Sequence, residues 1–340
     1  MDDFYSDTKT KPTPEMRRTV LDAEVGDEQK GEDPTTAALC ERVADMLGKE
    51  AALFLPSGTM CNEIAIRVHV RPGDEIICER NCHIVGFEGG GPAALSGAMV
   101  HPIDGERGML SPEQVTGAIR TSSRYAPQSR LLSVEQTANM AGGAVWPVDQ
   151  LNAVAEVAHA HGLATHMDGA RLMNAVVQSG RPATDHTAGF DSCWIDFTKG
   201  LGAPIGAVLA GSKDFIAHAW VFKQQFGGAM RQSGIAAAMC LHALDHHVDR
   251  LAEDHTNAQR IADHLEGLPG VAQVLPVETN IVIFDLAETA PSAADLVACA
   301  HADGQILGAF GPRRIRIVTH LDVDGGAVDR LLAVLSTHLG

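Results

Sequence analysis

The stretch LATHMDGAR, residues 163–171, is a short apolar run ending on an aspartate, and about thirty residues on WIDFTKGLGAPIGAVLAG, residues 194–211, repeats the pattern with a lysine. Runs of this length, bounded by glycine and charge, read as strands buried on both faces. Outward from them lie AALFL, EIIC, AMVHPI, RLLSVE and IGAVLAG, several separated by helix-like segments such as PVDQLNAVAEVAHAHG. Alternation of this kind predicts an α/β fold, a mostly parallel sheet with crossover helices. TTAALCERVADMLG places Leu39, Val43, Met46 and Leu47 at helical spacing, and one long helical stretch is expected over roughly 234–265. From about Val271, the strands VAQVLP, NIVIFD and RIRIVTHL with helices between them predict a smaller α+β C-terminal domain. The expected division is an N-terminal arm over 1–35, a large domain over 36–250 and a small domain over 251–340.

The chain has 340 residues, 45% of them apolar, which supplies a substantial core. With 26 basic against 43 acidic residues, its formal charge is −17, which disfavours nucleic acid and anionic lipid as partners. The opening MDDFYSDTKT has no apolar core of a signal peptide, and no run reaches the ~18 apolar residues needed to span a bilayer. Seven scattered cysteines suggest neither a disulfide framework nor a zinc site, so a reducing cytoplasm is expected.

Lys199 is the one lysine set among small and apolar neighbours directly after a strand, where desolvation is expected to lower its pKa and free the amine to attack a carbonyl. Asp168, at a strand end, can pair with a protonated pyridine nitrogen or cap the following helix. Arg171 can reach a ring oxygen or a substrate carboxylate. Ser57, Gly58 and Thr59 open a helix after AALFLP, a place suited to a phosphate or to ordinary capping. His83, just past another strand, can lie on a ring or handle a proton, and Glu88 is a second candidate base. No GxGxxG or Walker lysine is present, which disfavours dinucleotides and nucleoside triphosphates. The order of phosphate cradle, stacking ring, strand-end aspartate and strand-end lysine is that of the large pyridoxal-phosphate enzymes with an aspartate-aminotransferase-like fold.

Over nearly its whole length the chain resembles the low-specificity L-threonine aldolases. The resemblance rests on SDTKTKPTPEM, EVGDEQKGEDPT, GKEAALFLPSGTMCN, FEGGGPAALSG, HMDGARLMNAV, FTKGLGAPIGAVLAG, GGAMRQSGIAAA and RIRIVTHLDV. It implies pyridoxal 5′-phosphate held covalently by Lys199, with Asp168 on the pyridine nitrogen, Gly58 and Thr59 on the phosphate and His83 on the ring. It implies carboxylate recognition by Ser6, Arg171 and Arg316, and Arg231 near the cofactor across a subunit contact. It further implies a homo-oligomer, a tetramer built from tight dimers, acting on a small amino acid.

Three stretches depart from the family pattern. EQTAN, residues 135–139, has Ala138 where the family has histidine, DEQKGEDPT has Lys30 in place of tyrosine, and FYSDT has Tyr5 in place of arginine. The cofactor residues are intact while those facing the substrate side chain have changed. The expected reaction is cleavage of a β-hydroxy-α-amino acid to glycine and an aldehyde, with His83, Glu88 or a bound water as base. β-Elimination and racemisation fit the same cofactor residues.

Overall fold

Each of the seven apolar runs forms a strand of one sheet. In the computed structural model, which describes residues 1–340, these are β1 (Ala51–Leu55), β2 (Glu75–Glu79), β3 (Met99–Ile103), β4 (Ser129–Glu135), β5 (Ala164–Asp168), β6 (Ser192–Asp196) and β7 (Ala207–Gly211). Their order across the sheet is β1-β7-β6-β5-β4-β2-β3. The strands from β6 to β3 run parallel, and β7 is antiparallel to both β6 and β1. The segment 197–206, which contains Lys199, is too short for a crossover, so β7 can only double back.

Period-2 alternation serves two cores. Phe54, Val134, Met167, Ile195 and Val208 pack on one side of the sheet. Leu53, Leu55, Trp194 and Leu209 pack on the other. Burial on both faces explains why these strands read as continuous apolar runs. The helix Gly58–His69 covers one face and begins on Ser57, whose hydroxyl accepts from the Met60 amide.

A second sheet, antiparallel, contains β8 (Val271–Val274), β9 (Ile281–Leu286), β10 (Gly308–Ala309) and β11 (Arg314–Val318), in the order β10-β11-β9-β8. In RIRIV the alternation sends Ile315 and Ile317 into this layer's core with Phe284 and Leu331. Arg316, on the opposite face, is turned toward the cleft between the layers. The chain's first residues join this layer: Asp2–Asp3 pair in parallel with Gln305–Ile306, and Phe4 is fully buried in its core.

The single helical stretch expected over 234–265 is two helices, Gly234–His246 and Leu251–Leu265. The first carries Ala237, Cys240 and Leu244 to the large core, while the second carries Ala258, Ile261 and Leu265 to the small one. Apolar spacing alone does not register that the two segments serve different cores. His247, at the break, places Nδ1 2.7 Å from the Leu201 carbonyl.

Candidate active site

Between the two layers, at the carboxyl ends of the parallel strands, lies a cavity of about 380 Å³. Its floor is made by residues that end strands: Glu135 on β4, Asp168 on β5 and Asp196 on β6. Ser57, Gly58 and Thr59 enter it from the start of helix Gly58–His69, where amides of the first turn have no helical acceptor. From the other layer come Phe310 and Arg316, and from the N-terminal strap Tyr5 and Ser6.

Asp168 is almost fully buried, and its side chain accepts from Asn62 Nδ2 at 2.8 Å and the Ala170 amide at 3.0 Å. It does not cap the next helix, which begins at Leu172. Burial and the neighbouring Glu88 raise its carboxyl above the usual range, against the pull of Asn62, His83 and Lys199. His83, Glu88 and Asp168 bring their side-chain donor and acceptor atoms within 4.8 Å of one another. His83 Nδ1 lies 2.7 Å from Glu88 Oε1. Burial pulls the imidazole down, but the Glu88 hydrogen bond and nearby carboxylates outweigh it, and its pKa is raised. Glu135 accepts from the backbone amides of His83 and Asn139, each at 2.7 Å. Burial and then Asp168 push its carboxyl up to about 7.

Lys199 is paired with Asp196 at the cavity wall. Burial lowers the affinity of its amine for a proton, yet the Asp196 carboxylate overrides that effect and the pKa is raised. The sequence expectation of a lowered value is thereby corrected: desolvation is present, but a strand-end carboxylate three residues earlier reverses its sign.

The two arginines expected to meet a carboxylate differ. Arg171 spends Nε and Nη2 on Asp7, both at 2.7 Å, so most of its fork is already occupied. Arg316 donates to Asn139 Oδ1 at 3.0 Å and to the Tyr5 carbonyl at 3.3 Å, while its buried Nε has no partner. Phe310 lies 4.2 Å beneath it. Burial and then Arg171 pull its pKa down to about 10, which still leaves it charged at neutral pH. Ser6 lines the cavity and caps the turn that presents Asp7.

Arg231 is not brought to the cavity; its side chain is 61% exposed and pairs with Asp27. Ala138 packs against Gly108 beside the cavity, sharing a small side pocket with Glu135 and Asn139. Among the residues overlooked in the sequence, Glu135 and Asp196 follow the strand-end rule that singled out Asp168. Asp7 and Asn62 carry no such signal.

A family model described as beta-eliminating lyase matches residues 3–289. Low-specificity L-threonine aldolase 1 of Arabidopsis thaliana is 40% identical over 327 residues, covering 94% of this chain and 90% of its own. The low specificity L-threonine aldolase of Escherichia coli K12 is 39% identical over 324 residues, 95% of each chain. In fold, the chain is similar to a Leishmania major threonine aldolase, with a TM-score of 0.85, 20% identity and 99% of each chain covered. A putative L-allo-threonine aldolase from Listeria monocytogenes gives a TM-score of 0.80 at 20% identity, covering 98% of this chain and 97% of that one.

Proposed function

The chain belongs to the low-specificity L-threonine aldolases of the beta-eliminating lyase family, and from that premise we propose that it cleaves the Cα–Cβ bond of L-threonine, L-allo-threonine and related β-hydroxy-α-amino acids. The enzyme is a pyridoxal-phosphate-dependent lyase. The observation that carries the reading is Asp168: a buried carboxylate whose hydrogen-bond donors are a side-chain amide and a backbone N–H has no cation bonded directly to it, the partner that a protonated pyridine nitrogen would supply.

The cavity's residues suit the cofactor throughout. Lys199 offers its amine for covalent attachment, the amides opening helix Gly58–His69 offer a phosphate site with Ser57 and Thr59, and His83 offers an imidazole for the ring face. When bound, pyridoxal phosphate supplies an electron sink conjugated with the substrate's Cα. Arg316, charged and without a carboxylate partner, holds the substrate carboxylate, with Ser6 and the unspent edge of Arg171 beside it. That anchorage would fix how the substrate is oriented about Cα, and with it which bond the bound cofactor's electron sink weakens. His83 takes the β-hydroxyl proton: Nδ1 is engaged by Glu88, leaving Nε2 free of partners within the chain. With Ala138 in place of histidine, no second imidazole competes for that task.

Arg231, exposed on the surface, suits a subunit contact in a homodimer or tetramer, where it would approach a neighbouring cavity. Seven free cysteines, five of them buried, suit a reducing cytoplasm. No helix is long and apolar enough to cross a membrane. The test is product analysis of cofactor-loaded protein with L-threonine and L-allo-threonine. Acetaldehyde and glycine in equal amounts are expected; ammonia with a 2-oxo acid, or inversion at Cα without aldehyde, would overturn the reading.

A further inference from the structure

Behind Asp168 the buried polar atoms form a hydrogen-bond chain whose direction can be deduced. Asn62, in helix Gly58–His69, is fully buried. Its Oδ1 lies 2.7 Å from Trp194 Nε1 and 3.1 Å from His166 Nε2. Its Nδ2 lies 2.8 Å from Asp168 Oδ2 and 2.7 Å from Glu88 Oε1. An indole N–H can only donate, so Asn62 Oδ1 must accept and Nδ2 must face the two carboxyl groups, which leaves the amide one workable orientation. His166 must then donate from Nε2, leaving Nδ1 to accept from the Ser192 hydroxyl at 2.8 Å. Ser192 in turn accepts from His69 Nε2, also at 2.8 Å. Burial pulls His166 down to about 3 and His69 down to about 4, so both imidazoles are neutral at physiological pH, as this assignment requires. Every link from His69 to the carboxylates therefore points the same way.

We propose that Asn62 is a positioning residue for the cofactor, its amide fixed by Trp194 and the Ser192–His166 pair so that its two N–H groups aim Asp168 at the ring nitrogen and tie it to the Glu88–His83 pair. The proposal rests on the cofactor reading above. Asp168 is buried beside a second carboxylate, two effects that favour its neutral form, and the Asn62 N–H is one of only two hydrogen bonds holding it ionised. Glu88 Oε1 accepts from both Asn62 and His83, so a single amide spans the group expected at the ring nitrogen and the one expected at the ring face. A purely structural amide would hold helix to sheet without affecting either.

The test measures pyridoxal phosphate itself. In Asn62→Leu, the dissociation constant for pyridoxal phosphate is expected to rise ~10- to 150-fold, the worth of a hydrogen bond to a charged group. The pH at which the bound cofactor's visible band titrates is also expected to shift. Ser192→Ala keeps Asn62 but frees the His166 tautomer, and the same shift is expected with a smaller loss of affinity. If Asn62→Leu does not fold, Ser192→Ala decides on the same criterion. Weakened binding with an unmoved titration, or variants matching wild type in both readouts, overturns the proposal and leaves the function reading standing. A wild-type chain that takes up no pyridoxal phosphate overturns both.

Discussion

The two walls of the cavity are held in different ways. On the sheet side, Asp168 ends a strand, Asn62 sits on the helix above it and Glu88 in the loop that follows His83–Gly86, linked by hydrogen bonds of 2.7–2.8 Å. On the facing side, Tyr5 and Phe310 are partly exposed, and Arg316 keeps one buried donor without a partner. The contrast is sharpest between the two arginines: Arg171 is already neutralised by Asp7, whereas Arg316 meets only a side-chain amide and a peptide carbonyl. The same residue type serves as an internal counter-ion in one place and as an open anion receptor in the other. The sheet wall is thus built to fix the chemistry, and the facing wall to receive a changing substrate.

If that division is right, breaking the Asp7–Arg171 pair should act on the whole fold. Asp7→Ala leaves a buried guanidinium uncompensated and is expected to cost about 3–5 kcal/mol, read as a lower midpoint in urea unfolding. Asp7 also predicts an acid limb. Its carboxyl is held far below the usual range because the Arg171 pairing overcomes burial. The associated stabilisation is complete above the unfolded-state pKa of about 4 and fades as pH falls below it. Asp7→Ala should flatten that limb.

Arg316→Gln should spare the fold and weaken substrate. A charge-assisted contact of about 1.5–3 kcal/mol corresponds to a KM raised roughly 10- to 150-fold, with unchanged affinity for pyridoxal phosphate. An unchanged KM would return carboxylate binding to Arg171 and blur the contrast between the walls. The smallest effect is expected for Glu88→Gln. The Glu88 hydrogen bond and charge help raise the His83 pKa against burial, so removing the charge lowers it. If His83 acts as a base in its neutral form, the rising limb of kcat/KM against pH should move to lower pH. A limb that stays in place would remove His83 from that role.

How far the sequence could be read follows the same division. Most of the seven strands were visible because burial on both faces writes continuous apolar runs, and Asp168 and Lys199 stood out at or just past their ends. The alternation in RIRIV likewise marks Arg316 as facing away from the apolar layer. What lay hidden depends on distant partners. The pairing of Asp7 with Arg171 spans 164 residues, and that of Asn62 with Asp168 spans 106. The sign of the Lys199 shift was misjudged because burial was weighed without Asp196, although that carboxylate stands only three residues away. The break at 247–250 was missed because spacing shows that a face is apolar, and not which core it meets.

The most direct test of the central claim is borohydride reduction of the pyridoxal-phosphate-loaded protein, followed by peptide mass spectrometry. The account predicts a phosphopyridoxyl group on the peptide bearing Lys199, and none on the peptide bearing the fully buried Lys223. Labelling elsewhere, or no labelling at Lys199 under conditions where the protein is folded, would contradict it.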